Sequence, residues 1–339
     1  MFIPYKQPYN RIQVIRANAV SDFRMDLLQR RLVREGYDSE IITAVPFHKA
    51  SQFDTVICCR PGDSMLDYLR ICQVAGKRVV IDFDDDFNSI PKHNPAYPYT
   101  GAGHPTYLNK LKQTLSAPGM LVTYASPELA NRYHIAGTVI PNCYDEENEL
   151  WGLPKCTAPG RLTLGWSGTT THREDFKIIA PVIKRILNAY DHVDIAISLD
   201  DQIYNDFLSF PEDRKIYLPG VPYDIYPAIF AWFDIMVIPL RDTYFNRAKS
   251  DIKMVECGAS RTAYVASDMP VYHEWAAGGL TVPNDEESWE AALRNLIENE
   301  ELRRSLVAAG HEKALTRTSK LYTDKWLAFI EEINENPVP

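Results

Sequence analysis

IMVIPLRDTYFNRAKSDIKMVECGA, residues 235–259, reads as one strand, one loop and one helix, and it sets the terms for the rest of the chain. IMVIPL is an unbroken apolar run, the pattern of a strand covered on both faces. The loop that follows carries Asp242, Asn246, Lys249 and Ser250. If Ser250 caps a helix that begins at Asp251, the helix mouth offers open backbone N–H groups and the positive end of a dipole. Lys253 and Glu256 are three apart and share one helical face, with Ile252, Val255 and Ala259 on the face toward a core. Two lysines, a hydroxyl and a carboxylate at such a mouth suit a diphosphate and a ribose: cations and N–H donors for the first, a two-oxygen acceptor for the second. The plainer reading is a surface helix with a Lys253–Glu256 ion pair.

The same strand–loop–helix rhythm runs through the chain. Strands are expected at 12–16, 39–43, 55–59, 78–83, 121–124 and 137–140, and again at 162–166, 194–198, 215–218, 235–238, 262–266 and 279–281. Helices are expected between them at 22–35, 65–75, 106–116, 127–133, 175–189, 223–231, 252–258, 287–298 and 300–315, with a last amphipathic helix at 321–333. Such alternation predicts α/β architecture with mostly parallel sheets. The acidic, proline-rich segment PNCYDEENELWGLPKCTAP, 141–159, interrupts the rhythm and reads as a linker. The expected division is a first domain at 1–145, a second at 146–318 and a terminal helical segment at 319–339.

Two further stretches carry candidate chemistry. In LGWSGTTTHRED, 164–175, the small residues Ser167, Gly168 and Thr169 allow close approach of a phosphate, with His172 and Arg173 at the mouth. A plain strand-to-helix turn is the alternative. In VVIDFDDDFNSIPKHNP, 79–95, Asp84, Asp85 and Asp86 follow a strand directly. They suit a divalent ion, sugar hydroxyls or a general base. The alternative is a solvated acidic turn with Asp86 or Asn88 as a cap. Arg24 and Arg60 fall at ligand-facing positions or pair with carboxylates. Gly220 and Val221 lie in a tight loop that suits the rim of a flat base, while 223–233 is read mainly as core.

These residues resemble a known family. The second half is similar to retaining GT-B glycosyltransferases of family 4, through Leu164 to Gly168, His172, Asp175, Gly220, the run 234–240, Asn246, Lys249, Ser250, Lys253, Glu256 and Gly258. The linker start VIPNCYD and the aspartates at 82–86 extend the likeness into the first half. The resemblance implies two Rossmann-like domains facing a cleft, with the final helix crossing back to the first. It implies that Glu256 binds the donor ribose, and that Lys249, Ser250 and Lys253 hold the diphosphate with the Gly168 loop. Many members carry two glutamates eight positions apart; here the upstream position is Ala248, with Asn246 or Asp242 as stand-ins.

The implied activity is sugar transfer from a UDP- or GDP-sugar co-substrate to an acceptor hydroxyl, with retention, no metal and no prosthetic group. The catalytic assignment falls on Lys249, Lys253, Glu256, Asp84 and Asp85. Gly168, Thr169, His172, Arg173, Gly220, Val221, Asn246, Ser250 and Asp251 form the donor side, and Arg24, Arg60, Asp86 and His104 the acceptor side. The acceptor is expected to be a surface glycan or a lipid-linked sugar. Three alternatives stay open: a hydroxymethylated DNA base as acceptor, metal-dependent transfer through the aspartates, and a nucleotide-sugar-binding protein without turnover.

Composition narrows the classes. The 339 residues carry a formal net charge of -9, which disfavours broad nucleic-acid binding. Six cysteines without metal-ligand spacing read as reduced thiols. MFIPYKQPYN lacks the pattern of a signal peptide, and no run has membrane-spanning length. The expectation is a cytoplasmic protein, with peripheral membrane contact left open and nothing that sets an oligomeric state.

Overall fold

The computed structural model describes residues 11–16, 22–43 and 47–335. The amino-terminal stretch read above for targeting lies outside the described residues. The chain divides into two units: Met1–Asp145 with Ala248–Ser250 and Ser319–Pro339, and Glu146–Arg247 with Asp251–Thr318.

The first unit is built on six parallel strands: β1 (Arg11–Arg16), β2 (Asp38–Ile42), β3 (Thr55–Cys59), β4 (Arg78–Phe83), β5 (Met120–Tyr124) and β6 (Thr138–Val139), in the order β2-β1-β3-β4-β5-β6. The central strands TVICC and RVVIDF are almost wholly buried, as expected for a parallel sheet covered on both faces. Helices α1 (Leu27–Arg34), α2 (Asp63–Val74), α3 (Tyr107–Leu115) and α4 (Pro127–Tyr133) connect them. The segment expected as one helix from 22 starts as a wide π-type turn, Asp22–Asp26, before α1. The helix expected at 65–75 begins two residues earlier, behind Gly62.

The second unit repeats the plan with β7 (Leu162–Ser167), β8 (Val193–Ser198), β9 (Lys215–Leu218), β10 (Ile235–Ile238), β11 (Ala263–Ser267) and β12 (Leu280–Val282), again all parallel, in the order β12-β11-β10-β7-β8-β9. Its helices are α5 (Ala180–Ala189), α6 (Ile252–Ala259), α7 (Glu286–Glu298) and α8 (Glu300–Ala314). The helix expected over 175–189 is broken into a short turn, Arg173–Phe176, and α5. Pro181 is the reason: it has no N–H to donate and fits only the first turn of a helix. The aromatic stretch expected as helix is a 3₁₀ run, Tyr226–Trp232, again opened by a proline, Pro227. The linker is shorter than expected, because Glu149–Gly152 forms a turn that seats Trp151 against Phe230 in the second unit.

Each unit closes its own core. In the first, Ile12, Val14, Leu28 and Leu32 pack with Trp326, Phe329 and Ile330 of α9 (Ser319–Glu335). In the second, β7, β8 and β10 pack against α5 and α7 through Leu164, Ile195, Val237, Ile186 and Leu293. On the other face, α6 approaches α8 so closely that a Cβ on Gly258 would lie 2.4 Å from the Gly310 carbonyl oxygen. The stripe expected on α6 is wider than two-sided: Met254 through Ala259 are all buried and Ile252 only half so. No helix of the described residues is long and apolar enough to cross a membrane.

The strand order sets where a ligand can sit. In the second sheet the chain winds outward from β7 through β8 to β9, then returns to the other side of β7 with β10. The loops after β7 and β10 therefore diverge at a topological switch point, the usual crevice for ligands in such sheets. The first sheet has its own switch point between β1 and β3.

Candidate functional site

At the switch point of the second unit, four polar side chains meet. Lys253 Nζ donates to Glu256 Oε2 at 2.8 Å and to the Tyr226 hydroxyl at 2.7 Å. Tyr226 lies 3.3 Å from Glu256 Oε2 and 3.1 Å from Ser167 Oγ at the end of β7. The Lys253 ammonium also stands 5.3 Å from the centre of the Tyr226 ring. Burial opposes charge on Lys253, but Glu256 and Tyr226 more than offset it, and its pKa is raised. Burial, seconded by Glu256, pushes the Tyr226 phenol up to about 12, so it stays protonated and can donate. The Lys253 side chain remains 26% exposed and Glu256 9%, so one end of this buried pair reaches solvent. Tyr226 was read from the sequence as core. The available signal was its place just past the carboxyl end of β9, where an aromatic body with a polar tip can serve both core and site.

The expected cap on α6 is different. Asp251, not Ser250, stands at the N-cap, and its carboxylate is taken by Trp275 Nε1 at 2.8 Å and by Arg317. Asp251 is thus a structural anchor rather than a donor ligand. Ser250 and Lys249 group with the first unit: Ser250 Oγ accepts from Asn142 at 2.8 Å, and Lys249 Nζ donates to Asp85 Oδ1 at 2.7 Å.

The loop after β7 is shaped by packing. A Cβ on Gly168 would lie 2.6 Å from the Trp166 ring, so the glycine there makes room for an indole. Thr169 is exposed and shares a hydrogen bond with Thr171. Arg173 is held by Asp200 at 2.6 Å. Asp175 is buried; one oxygen accepts from the Arg241 amide (2.9 Å) and Asn246 Nδ2 (3.1 Å), and the other from His172 Nδ1 (2.9 Å). Asn246 Nδ2 also donates to the Arg241 carbonyl, so it ties the β10 loop to the β7 loop. Asp242 is paired with Arg247. Gly220 is exposed and Val221 half-buried in the loop after β9.

In the first unit the aspartates are buried and each faces a cation, which disfavours the alternative of a solvated turn. Arg60 stands at φ +52°, a left-handed conformation uncommon for a side chain this large. It reaches Asp85 at 2.7 Å and lies 3.2 Å from Asp84. Asp86 accepts from Arg132, Ser89 and the Asn88 amide. Burial first, then Asp85, pushes the Asp84 carboxyl up to about 6 against the pull of Arg60. Arg24 is a correction: it is 0% exposed and locked to Asp82 (2.6 and 2.7 Å), Asn142 (2.6 Å) and the Ile140 carbonyl (3.0 Å), so no acceptor reaches it. The Nδ1 of His104 accepts the Tyr107 amide at 3.1 Å, at the start of α3. No group of three or more potential metal ligands occurs among the described residues.

A groove of about 540 Å³ lies at the opposite, amino-end edge of the second sheet, beside Lys155, Asp234, Arg261 and α8. Lys155 there donates to Phe230 O, Ser260 O and Thr262 Oγ1, and burial lowers its pKa to about 8. These bonds staple three segments together, and the switch-point network has the better claim to chemistry.

Comparison with known proteins agrees with this geometry at the level of fold. No protein-family model matches the chain. A 105-residue stretch is 30% identical to the O-antigen chain mannosyltransferase RfbU of Salmonella typhimurium, covering 30% of this chain and 28% of that protein. The chain therefore matches little more than a quarter of that relative's length. Among solved structures, Anabaena HepE in complex with UDP and glucose matches with a TM-score of 0.68 at 13% identity, over 95% of this chain and 100% of that one. Sucrose-phosphate synthase from Thermosynechococcus elongatus matches with a TM-score of 0.70 at 12% identity, over 96% and 99%. A Listeria monocytogenes protein assigned as UDP-N-acetylglucosamine 2-epimerase matches with a TM-score of 0.65 at 10% identity, over 96% and 97%. The class is defined by architecture: the chain has the GT-B fold, with two Rossmann-like units of six parallel strands each.

Proposed function

We propose that the chain is a glycosyltransferase that draws its sugar from a nucleoside diphosphate donor bound by the second unit. The observation that carries this reading is the Ser167–Tyr226–Lys253–Glu256 network at the β7/β10 switch point. Glu256 offers oxygens to a ribose, and Lys253 with the amino end of α6 offers positive charge to a diphosphate. The likeness to RfbU, a mannosyltransferase by name, supports transfer over the epimerisation assigned to one structure of the same fold.

In the proposed step the acceptor oxygen forms its bond to the anomeric carbon on the face from which the diphosphate departs. The bond between that carbon and the phosphate oxygen breaks, and the departing phosphate takes the hydroxyl proton. Charge grows on the leaving oxygen, where Lys253 and the helix end stabilise it most. No metal is required by this scheme. The acceptor is proposed to be a glycan hydroxyl, in keeping with the O-antigen relative.

The test is release of UDP or GDP from a panel of diphosphate sugars. Lys253→Met and Glu256→Gln are each expected to lower the rate by about a hundredfold or more, with circular dichroism unchanged. Full activity in both variants would overturn the site. The anomeric configuration of the product, read by NMR, checks retention.

A further inference from the structure

If Glu256 and Lys253 hold the nucleotide end of the donor, the sugar still needs hydrogen-bond acceptors of its own. We infer that His172, oriented by Asp175, is the residue that recognises a hydroxyl of the donor sugar; this rests on the donor-site reading above.

The argument begins with Asp175. Its side chain is 4% exposed, and its two oxygens accept from the Arg241 amide, Asn246 and His172. An ionised carboxylate can only accept, so the ring nitrogen that faces it, Nδ1, carries the proton. In the tautomer with its proton on Nδ1, the ring presents Nε2 as a lone-pair acceptor. Among the described residues Nε2 meets no hydrogen-bond partner, and the side chain is 32% exposed. A buried carboxylate with three fixed donors therefore sets both the tautomer and the aim of a ring whose far side is open.

Position and competition point the same way. His172 closes the turn after β7, the strand that ends in Ser167, and Ser167 touches Tyr226 in the nucleotide network. Asp175 joins that turn to the β10 loop through Asn246. The ring thus lies in the same pair of diverging loops as the network. Of the two polar residues of the β10 loop that the sequence offered for the sugar, Asp242 is engaged by Arg247, and the Nδ2 of Asn246 is spent on Asp175 and the Arg241 carbonyl. Nε2 is an acceptor in these loops that is oriented by a buried carboxylate and open on its far side. It selects a hydroxyl that can donate along one direction, which makes His172 a specificity-determining residue rather than a proton carrier.

The test is calorimetric titration of the full chain with UDP, GDP, UDP-glucose and GDP-mannose. In His172→Ala the Kd of the accepted diphosphate sugar should rise about three- to tenfold, the worth of one hydrogen bond, while the Kd of its nucleoside diphosphate stays within about twofold of the wild type. His172→Gln, whose amide oxygen can accept in place of Nε2, should recover most of the loss. Equal weakening of nucleotide and diphosphate sugar, or no weakening of either, would overturn the inference while leaving the donor site intact. A wild-type chain that binds neither nucleoside diphosphate would overturn the donor site itself, and this inference with it.

Discussion

Asp84 shows how much a single residue here depends on its surroundings. It was legible as one of three strand-end aspartates, but not as a buried carboxyl squeezed between Asp85 and Arg60. Its pKa of about 6 lies above the ordinary 3.8, so the folded chain binds a proton at this site more readily than the unfolded one. The contribution of Asp84 to stability is therefore fully present below about pH 4 and is lost as pH rises through about 6. Asp84→Asn removes that loss. The thermal midpoint should rise by several degrees at pH 7.5, at about 2–4 °C per kcal/mol, and stay unchanged at pH 4. A variant that melts lower at pH 7.5 would show that the attraction to Arg60 outweighs burial. Arg24 and Lys249 teach the same lesson. Side-chain type and strand-end position were readable, yet the partners of these cations, Asp82 for Arg24 and Asp85 for Lys249, lie 58 and 164 positions away, and local sequence cannot name them. Tyr226 was missed for a like reason, since its hydroxyl finds Lys253 only 27 residues later.

At the scale of elements the sequence was a good guide. Apolar runs such as TVICC and IMVI became strands because both faces of each sheet are covered, which leaves no alternation to blur the signal. Two of the differences lie at prolines, Pro181 and Pro227, each of which resets a helix, and a third at the π-type turn Asp22–Asp26. The spacing of Trp326, Phe329 and Ile330 predicts an amphipathic helix and the family resemblance its return to the first domain; in α9 those residues close the core of the first unit against α1 and β1. Trp326→Ala should therefore cost about 3–5 kcal/mol, the price of a large cavity in a packed interior. Because the second core shares none of these residues, scanning calorimetry should show the transition of the first unit moving down while that of the second stays in place. A uniform shift of one undivided transition would contradict independent cores.

For the whole molecule, two six-stranded parallel sheets each carry a reversal of strand order, and the one at β7/β10 accounts for why polar side chains collect after those two strands. The fold class was readable because the alternation of strand and helix repeats twice with a break near 141–159. The candidate donor site was readable only in part: Lys253 and Glu256 came from helical spacing and Ser167 from its small-residue loop, whereas Tyr226 and the contacts of Asp175 emerge from strand order, which no single segment encodes. The claim at the centre is that a nucleoside diphosphate binds at this switch point of the second unit. A crystal structure of the chain soaked with UDP or GDP tests it most directly. The ribose hydroxyls are predicted to lie within hydrogen-bond distance of the Glu256 carboxylate, with a diphosphate oxygen on Lys253 Nζ; a nucleotide bound elsewhere, with the Lys253–Glu256–Tyr226 contacts undisturbed, would contradict it.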